Sequence, residues 1–363
     1  MSRQTKAIID LQALKRNLNR LKALAPASKT LAVVKANAYG NGVQKVSETI
    51  QSDVDMFAVA ISEEAVALRQ GGIEKPILVL QGPHQASEIS DYRALHFTWM
   101  IHNTTQLDWV EKAFEKDARV ANQLWFKFDS GMHRLGFALN EFSTLRAKHP
   151  HFFNKHTVVA THLACADEPD KPNTSIQLAR FFDTVGSSGL SLSIANSAAH
   201  IANVNARQSY NRIGIAMYGS SPFEDPNPSA QPTLDLSPVM HLYASIIALR
   251  KIPKGDSVGY GASWQAKRDT IIATVAIGYA DGYPRHAPSG TPAFYKNQRI
   301  ELVGRVSMDM VTFDVTDVPD AALYDEVELW GANVGINEVA AKVGTIGYEL
   351  MTRVSPRVPR QYQ

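Results

Sequence analysis

The sequence has a single cysteine in 363 residues, Cys165. That excludes an intrachain disulfide framework and agrees with a reducing compartment. It also has almost no net charge: 37 basic residues against 35 acidic ones give +2, so no overall field draws it to nucleic acid or to an anionic membrane. The most basic stretch, "RVSPRVPR" near the C-terminus, is short and broken by proline. No window approaches the roughly 18 uninterrupted apolar residues of a membrane span. The first residues, "MSRQTKAIIDLQALKRNLNRLK", carry charge every few positions and have no apolar core of a secretory signal. These absences lead us to expect a soluble cytoplasmic protein with neither nucleic-acid nor membrane partners. What is present is ordinary globular material, 45% hydrophobic and 20% charged, with length for about two domains.

Asp10 precedes Leu11, Leu14, Leu18 and Leu21, a spacing that predicts an amphipathic helix with an aspartate cap. Eight short apolar runs then follow, at residues 31–35, 56–60, 77–80, 96–101, 123–129, 156–162, 190–195 and 211–217. Helix-like segments separate them, among them "SEEAVALRQGG", "TTQLDWVEKAFEKD" and "NTSIQLARFFDTVGSSG". Strand-length runs alternating with helices are the pattern of parallel βα units, and eight units fit a closed (β/α)8 barrel of the TIM type. An open doubly wound sheet is the alternative; the absence of GxGxxG after the first run counts against it. Residues 220–238, rich in Pro, Ser and Asp, read as a boundary. Beyond it β-type runs come without helices between them, as in a mostly antiparallel sheet. A helix at "INEVAAKVG" and a tail at "GYELMTRV" complete the reading. The expected organisation is α/β: a barrel domain over residues 1–230 and a β domain over 231–363.

The first run, "LAVVK", ends in a charge. Side chains alternate along a strand, so Leu31, Val33 and Lys35 share one face, and Lys35 sits at the C-terminal rim where barrel enzymes keep their active sites. Partial burial there would lower the pKa of the amine and make it a nucleophile for carbonyls. A lysine snorkelling to water from a strand end fits the spacing equally. Cys165 lies three residues after His162 without pointing the same way, and "DEPD" (167–170) reads as a solvated acidic loop; no metal site is expected.

"AVVKANAYGNG" resembles the cofactor-lysine motif of the alanine racemases, and the likeness continues in order through the chain. It runs through "KFDSGMHRLG", "THLACADE", "ANSAA", "NRIGIAMYG", "SVGYGASW", "AIGYADGYPR", "GRVSMDM" and "GYELMTRVSPRVPR". One departure is Asn41, where this family more often has histidine. The resemblance implies pyridoxal 5'-phosphate as cofactor, an N-terminal barrel, a C-terminal β domain and a homodimer with shared active sites. It implies interconversion of L- and D-alanine by two bases, Lys35 on one face of the substrate and Tyr260 of the other subunit on the opposite face. D-alanine would be made for peptidoglycan or catabolised.

The same resemblance gives the phosphate to Tyr39, Ser197, Gly214, Ile215 and Tyr348. The loops after barrel strands seven and eight, a common phosphate site, begin at two of these motifs. Arg212 would face the pyridine nitrogen, oriented by His162; a guanidinium has no proton acceptor and stays charged. Arg134 and the backbone of Met308 would hold the substrate carboxylate. Lys127, carbamylated in many members, would orient Arg134. Asp167, Tyr279 and Arg285, with Tyr348, would line a narrow access corridor. Competing readings are a racemase of larger amino acids, a decarboxylase of the same fold, a cofactor carrier, and a cofactor-free lysine aldolase.

Overall fold

The computed structural model describes residues 3–223 and 234–363. The expected boundary at 230/231 lies outside them.

All eight predicted runs become parallel strands of one barrel: Lys29–Val33, Met56–Val59, Ile77–Val79, Phe97–Ile101, Leu124–Asp129, Val158–Ala160, Ser191–Ser193 and Tyr210–Ile213. The register runs from strand to strand, and the eighth pairs with the first, Arg212 opposite Leu31. Between the seventh and eighth the closure is a single backbone–backbone bond among the described residues, Arg212 N–H to the Ala195 carbonyl at 3.0 Å. The barrel is therefore nearly closed. Its strands are buried on both faces (Met56–Val59, Ile77–Val79 and Val158–Ala160 are buried throughout), which is why they read as continuous apolar runs. The helix Leu11–Ala23 forms as the spacing predicts: Asp10 accepts from Ala13 N–H at 2.7 Å, and Leu14, Leu18 and Leu21 are buried.

The second sheet has eight strands in the order Thr270–Val275, Val311–Asp314, Gln298–Leu302, Pro292–Tyr295, Glu326–Trp330, Met240–Ile252, Lys6–Ile9, Arg360–Tyr362. Every pairing in it is antiparallel except that of Lys6–Ile9 with Arg360–Tyr362. The N-terminal strand thus departs from a division of the chain into consecutive halves. Its alternate residues Ala7 and Ile9 are fully buried, and it finds its partner in Met240–Ile252, more than 230 residues away. The segment read as a tail is also different: Gly347–Arg353 is a helix, burying Leu350 and Met351. Among the described residues no helix is long and apolar enough to cross a membrane.

Candidate active site

A cavity of about 710 Å³ opens at the C-terminal ends of the barrel strands. That is the size range of small-molecule and cofactor sites. Its walls come mainly from the barrel, but Ile346, Tyr348, Glu349 and Thr352 reach it from the C-terminal helix of the same chain.

The first strand ends two residues earlier than its apolar run suggests. Val34 leaves the extended conformation (φ −119°, ψ 16°), although its N–H still bonds the Ala58 carbonyl at 2.8 Å. From Ala36 to Tyr39 every φ lies between 52° and 54°, a left-handed turn made of non-glycine residues. Such a conformation costs roughly 1–2 kcal/mol per residue, so the surroundings must hold it. Within the turn, Ala38 N–H bonds Val34 O, Gly40 N–H bonds Ala36 O, and Gly42 N–H bonds Asn37 O. Asn41 is completely buried, and its Nδ2 donates to the carbonyls of Ala38 (2.9 Å) and Tyr39 (3.2 Å). Gly40 has φ 82°, and a Cβ there would lie 2.1 Å from the Met351 carbonyl oxygen; only glycine fits. The turn carries Lys35 and Tyr39 into the cavity together. The Lys35 amine lies below its ordinary pKa, first through burial and then through the cation Arg134, with Glu64 acting in the opposite sense.

Arg212 is buried and makes five hydrogen bonds through its two terminal nitrogens. Nη1 donates to Ser193 O (2.9 Å) and Oγ (2.8 Å); Nη2 donates to Thr161 O, Ile194 O and His162 Nδ1 at 2.9, 3.0 and 3.1 Å. Among the described residues nothing accepts from Nε, and Arg212 lines the cavity. Burial brings its pKa down to about 10, so it remains a cation. His162 is held well below its usual value, by burial first and by Arg212 next; a neutral Nδ1 can then accept from the guanidinium. Lys127 also lines the cavity. Burial and the cations Arg212 and Arg134 push its pKa down to about 8, against the pull of Asp129.

Ser197, Gly214 and Ile215 meet at the ends of the last two strands, as the motif order suggests. Ser197 is not the helix cap: Asn196 takes that role, accepting from Ala199 N–H at 2.9 Å, and the Ser197 hydroxyl instead accepts from Gly214 N–H at 2.9 Å. Tyr39 stacks obliquely between Tyr218 (5.0 Å) and Tyr348 (6.0 Å). Burial holds its phenol above the ordinary pKa, so it is a hydroxyl donor. Arg134 lines the cavity too.

Five expected site residues are not brought to this cavity within one chain: Tyr260, Met308, Tyr279, Arg285 and Asp167. Four of them are exposed, Tyr260 by 68% of its surface. Gly259 and Gly261, both with φ above 70°, turn Tyr260 outward. The Tyr279 and Met308 loops adjoin through Tyr279 N–H to Ser307 O and Ala280 N–H to Met308 O. Cys165 is half-buried and has no bond to His162, whose Nδ1 is committed to Arg212.

Two family models match the chain, "Alanine racemase, N-terminal domain" over residues 9–222 and "Alanine racemase, C-terminal domain" over 239–362. The chain belongs to the alanine racemase family. An alanine racemase of Alteromonas mediterranea is 46% identical over 360 residues, covering 99% of both chains. The crystal structure of the biosynthetic alanine racemase from Pseudomonas aeruginosa superposes with a TM-score of 0.91 at 41% identity, again over 99% of each chain. An alanine racemase from Bartonella henselae, solved with covalently bound pyridoxal phosphate, superposes with a TM-score of 0.88 at 29% identity, with the same coverage.

The resemblance assigns no role to Ser193, Tyr218 or Glu64. Ser193 is the second anchor of Arg212, and the Tyr218 hydroxyl donates to Val33 O at 3.1 Å below the lysine turn. A serine in an apolar strand, "LSLSIA", is the one sequence signal that marks any of them, because a buried hydroxyl needs a partner.

Proposed function

We propose that the protein is an alanine racemase that holds pyridoxal phosphate through Lys35 and acts in the cytoplasm as a homodimer. The observation that carries this reading is the meeting, in one cavity, of a partly desolvated lysine amine and a buried guanidinium whose terminal nitrogens are already occupied. The residues fit the cofactor's functional groups. The hydroxyls of Ser197 and Tyr39 and the backbone N–H of Ile215 would supply donors for a phosphate, with the Gly214 N–H orienting the Ser197 hydroxyl. A Cβ at Gly214 would come within 2.7 Å of the Tyr39 hydroxyl, so only glycine leaves that backbone accessible. Arg212 offers the pyridine nitrogen a donor through Nε and gives it no proton.

When bound, the cofactor supplies an electron sink that makes the α-proton of an amino acid acidic. The protein's part is to place one base on each face of that carbon. Lys35, with its lowered pKa, takes or returns the proton on one face; general bases act best near ambient pH. The partner subunit's Tyr260 does so on the other. Support for the second half is the exposed patch of Tyr260, Tyr279, Met308 and Met310, large apolar groups that a partner surface would cover. The partner's Met308, with Arg134, would hold the substrate carboxylate, and Asp167, Tyr279 and Arg285 with Tyr348 would bound the corridor that favours a methyl side chain. The 1–230 and 231–363 division assigns the cofactor to the first domain and the trans contribution to the second. Whether D-alanine is supplied or consumed, the chemistry at the α-carbon is the same.

Lys127 cannot orient Arg134 as an ammonium, because the two repel. With a pKa of about 8, a fraction of it is a neutral amine, which adds to CO2 and releases one proton. The resulting carbamate is an anion among Arg134, Arg212 and Lys35.

The test is racemisation by the holoenzyme over a panel of amino acids, together with Lys35→Ala. Alanine should be turned over fastest. The lysine variant should lose both turnover and the absorbance of the covalently held cofactor; retained turnover would overturn the reading.

A further inference from the structure

Glu64 stands in the first turn of the helix Ser62–Gln70 and reaches two other elements with one carboxylate. Oε1 accepts from Ala36 N–H at 2.6 Å, and Oε2 accepts from Ala60 N–H at 2.8 Å. Ala60 directly follows the second barrel strand, Met56–Val59. Ala36 directly follows Lys35 and is the first residue of the left-handed turn. The N–H groups that open a helical turn have no partner inside it. Within the turn the Ala36 carbonyl is taken by Gly40 and the Ala38 N–H bonds Val34 O, while the Ala36 amide takes its acceptor, Glu64, from outside. A carboxylate is the strongest neutral-pH acceptor for such an amide.

Any acceptor would cap the turn, whereas a carboxylate also brings charge. The groups that act on or feel the Lys35 nitrogen are Arg134 and Lys127 from the fifth strand and its loop, His162 after the sixth, and Glu64 after the second. His162 is neutral, and Arg134 is a cation. Glu64 is the carboxylate of the set, beside the carbamate proposed on Lys127.

We propose that Glu64 is a positioning residue for Lys35: it caps the left-handed turn from outside, holding the lysine at the rim, and its negative charge balances the cations around the lysine nitrogen. The proposal rests on Lys35 being the amine that holds the cofactor. Removing the charge weakens the hold of that nitrogen on a proton, so every titration that belongs to it moves to lower pH.

The experiment compares wild-type holoenzyme with Glu64→Gln, which removes the charge and keeps one acceptor oxygen for the two N–H groups of Ala36 and Ala60, and Glu64→Ala, which removes cap and charge. Three quantities are read: the pH at which the bound cofactor's absorbance changes, the pH profiles of racemisation in both directions, and the melting temperature. For both variants the absorbance transition and the limb belonging to Lys35 should move to lower pH. In Glu64→Gln, kcat should fall about tenfold while KM for alanine stays within about twofold. Glu64→Asp, retaining charge with a shorter reach, should restore the pH positions. A lower melting temperature with both pH positions unchanged would reduce Glu64 to a structural cap and overturn the proposal, as would wild-type behaviour throughout. Failure of the Lys35 reading is separate, since it shows as cofactor absorbance and turnover surviving in Lys35→Ala.

Discussion

Arg212 Nη2 lies 3.1 Å from His162 Nδ1, and the two residues, 50 apart in sequence, come from the eighth strand and from just after the sixth, which flank the seventh. The bond requires a neutral imidazole, because a protonated Nδ1 has nothing to accept with. Burial and the guanidinium keep it neutral.

Arg212→Lys should therefore not be conservative. A lysine is a point charge with three donors in place of a planar fork, and Ser193, Thr161, Ile194 and His162 would compete for it. Racemisation should fall by about a hundredfold or more, in line with the loss of several charge-assisted hydrogen bonds. Steady-state kinetics on the purified variant, with cofactor content measured alongside, checks this.

The same histidine predicts an acid-sensitive fold. His162 has a folded-state pKa well below 6.5, so below that pH the unfolded chain binds the proton that the folded chain refuses. Stability is then fully present above the ordinary histidine value and is lost as pH falls towards the folded one. Melting temperature should drop between about pH 7 and pH 5. His162→Asn should flatten part of that slope and leave the part due to the buried His200 and the half-buried His102, whose values are also lowered by burial. An unchanged slope in the variant would contradict the assignment.

Tyr260→Phe should impair one face of the reaction. In deuterated water the wild type exchanges the α-proton of both enantiomers, and the variant should lose that symmetry. The proposed homodimer predicts that dilution of the wild type loses activity in parallel with the dimer fraction seen by sedimentation. A fully active monomer would rule out a shared site.

Asn41 is the departure from the family motif, and its two bonds to the left-handed turn give it a structural task. Asn41→Ala should destabilise the protein by about 2 kcal/mol, read from denaturant unfolding, and weaken retention of the cofactor because Tyr39 sits on the same turn. Its Oδ1 is buried with no partner among the described residues, so Asn41→Asp, which places charge there, should be worse.

The barrel was legible because parallel strands covered on both faces are mostly apolar, and the eight runs alternate with helix-like segments; the polar exceptions, Lys127, Ser193 and Arg212, surround the site. The lysine turn was not. Ala36, Asn37, Ala38 and Tyr39 are ordinary L-residues whose local preference is right-handed, and their conformation comes from Glu64, Asn41 and the Gly40–Met351 contact. Likewise "SEEA" reads as the acidic first turn of a helix, which it is; that Glu64 also faces the residue after Lys35 is information held by neither segment alone. The strand Lys6–Ile9 was not legible because its partner, Met240–Ile252, lies more than 230 residues away, and the helix at Gly347–Arg353 is recognised only when its buried Leu350 and Met351 meet the barrel domain.

Local composition and order settle which residue types stand at the mouth of the barrel: a lysine after the first strand, an arginine in the eighth, hydroxyls and glycines between. Those are consequences of covalent sequence and of period-two and continuous apolar patterning, which act over a few residues. Tertiary structure decides how those groups face one another. The hand of the turn that aims Lys35, the five bonds that orient Arg212 and the outward position of Tyr260 depend on hydrogen bonds and steric contacts. Most of these join residues far apart in the chain, and such contacts exist only once the two sheets have closed.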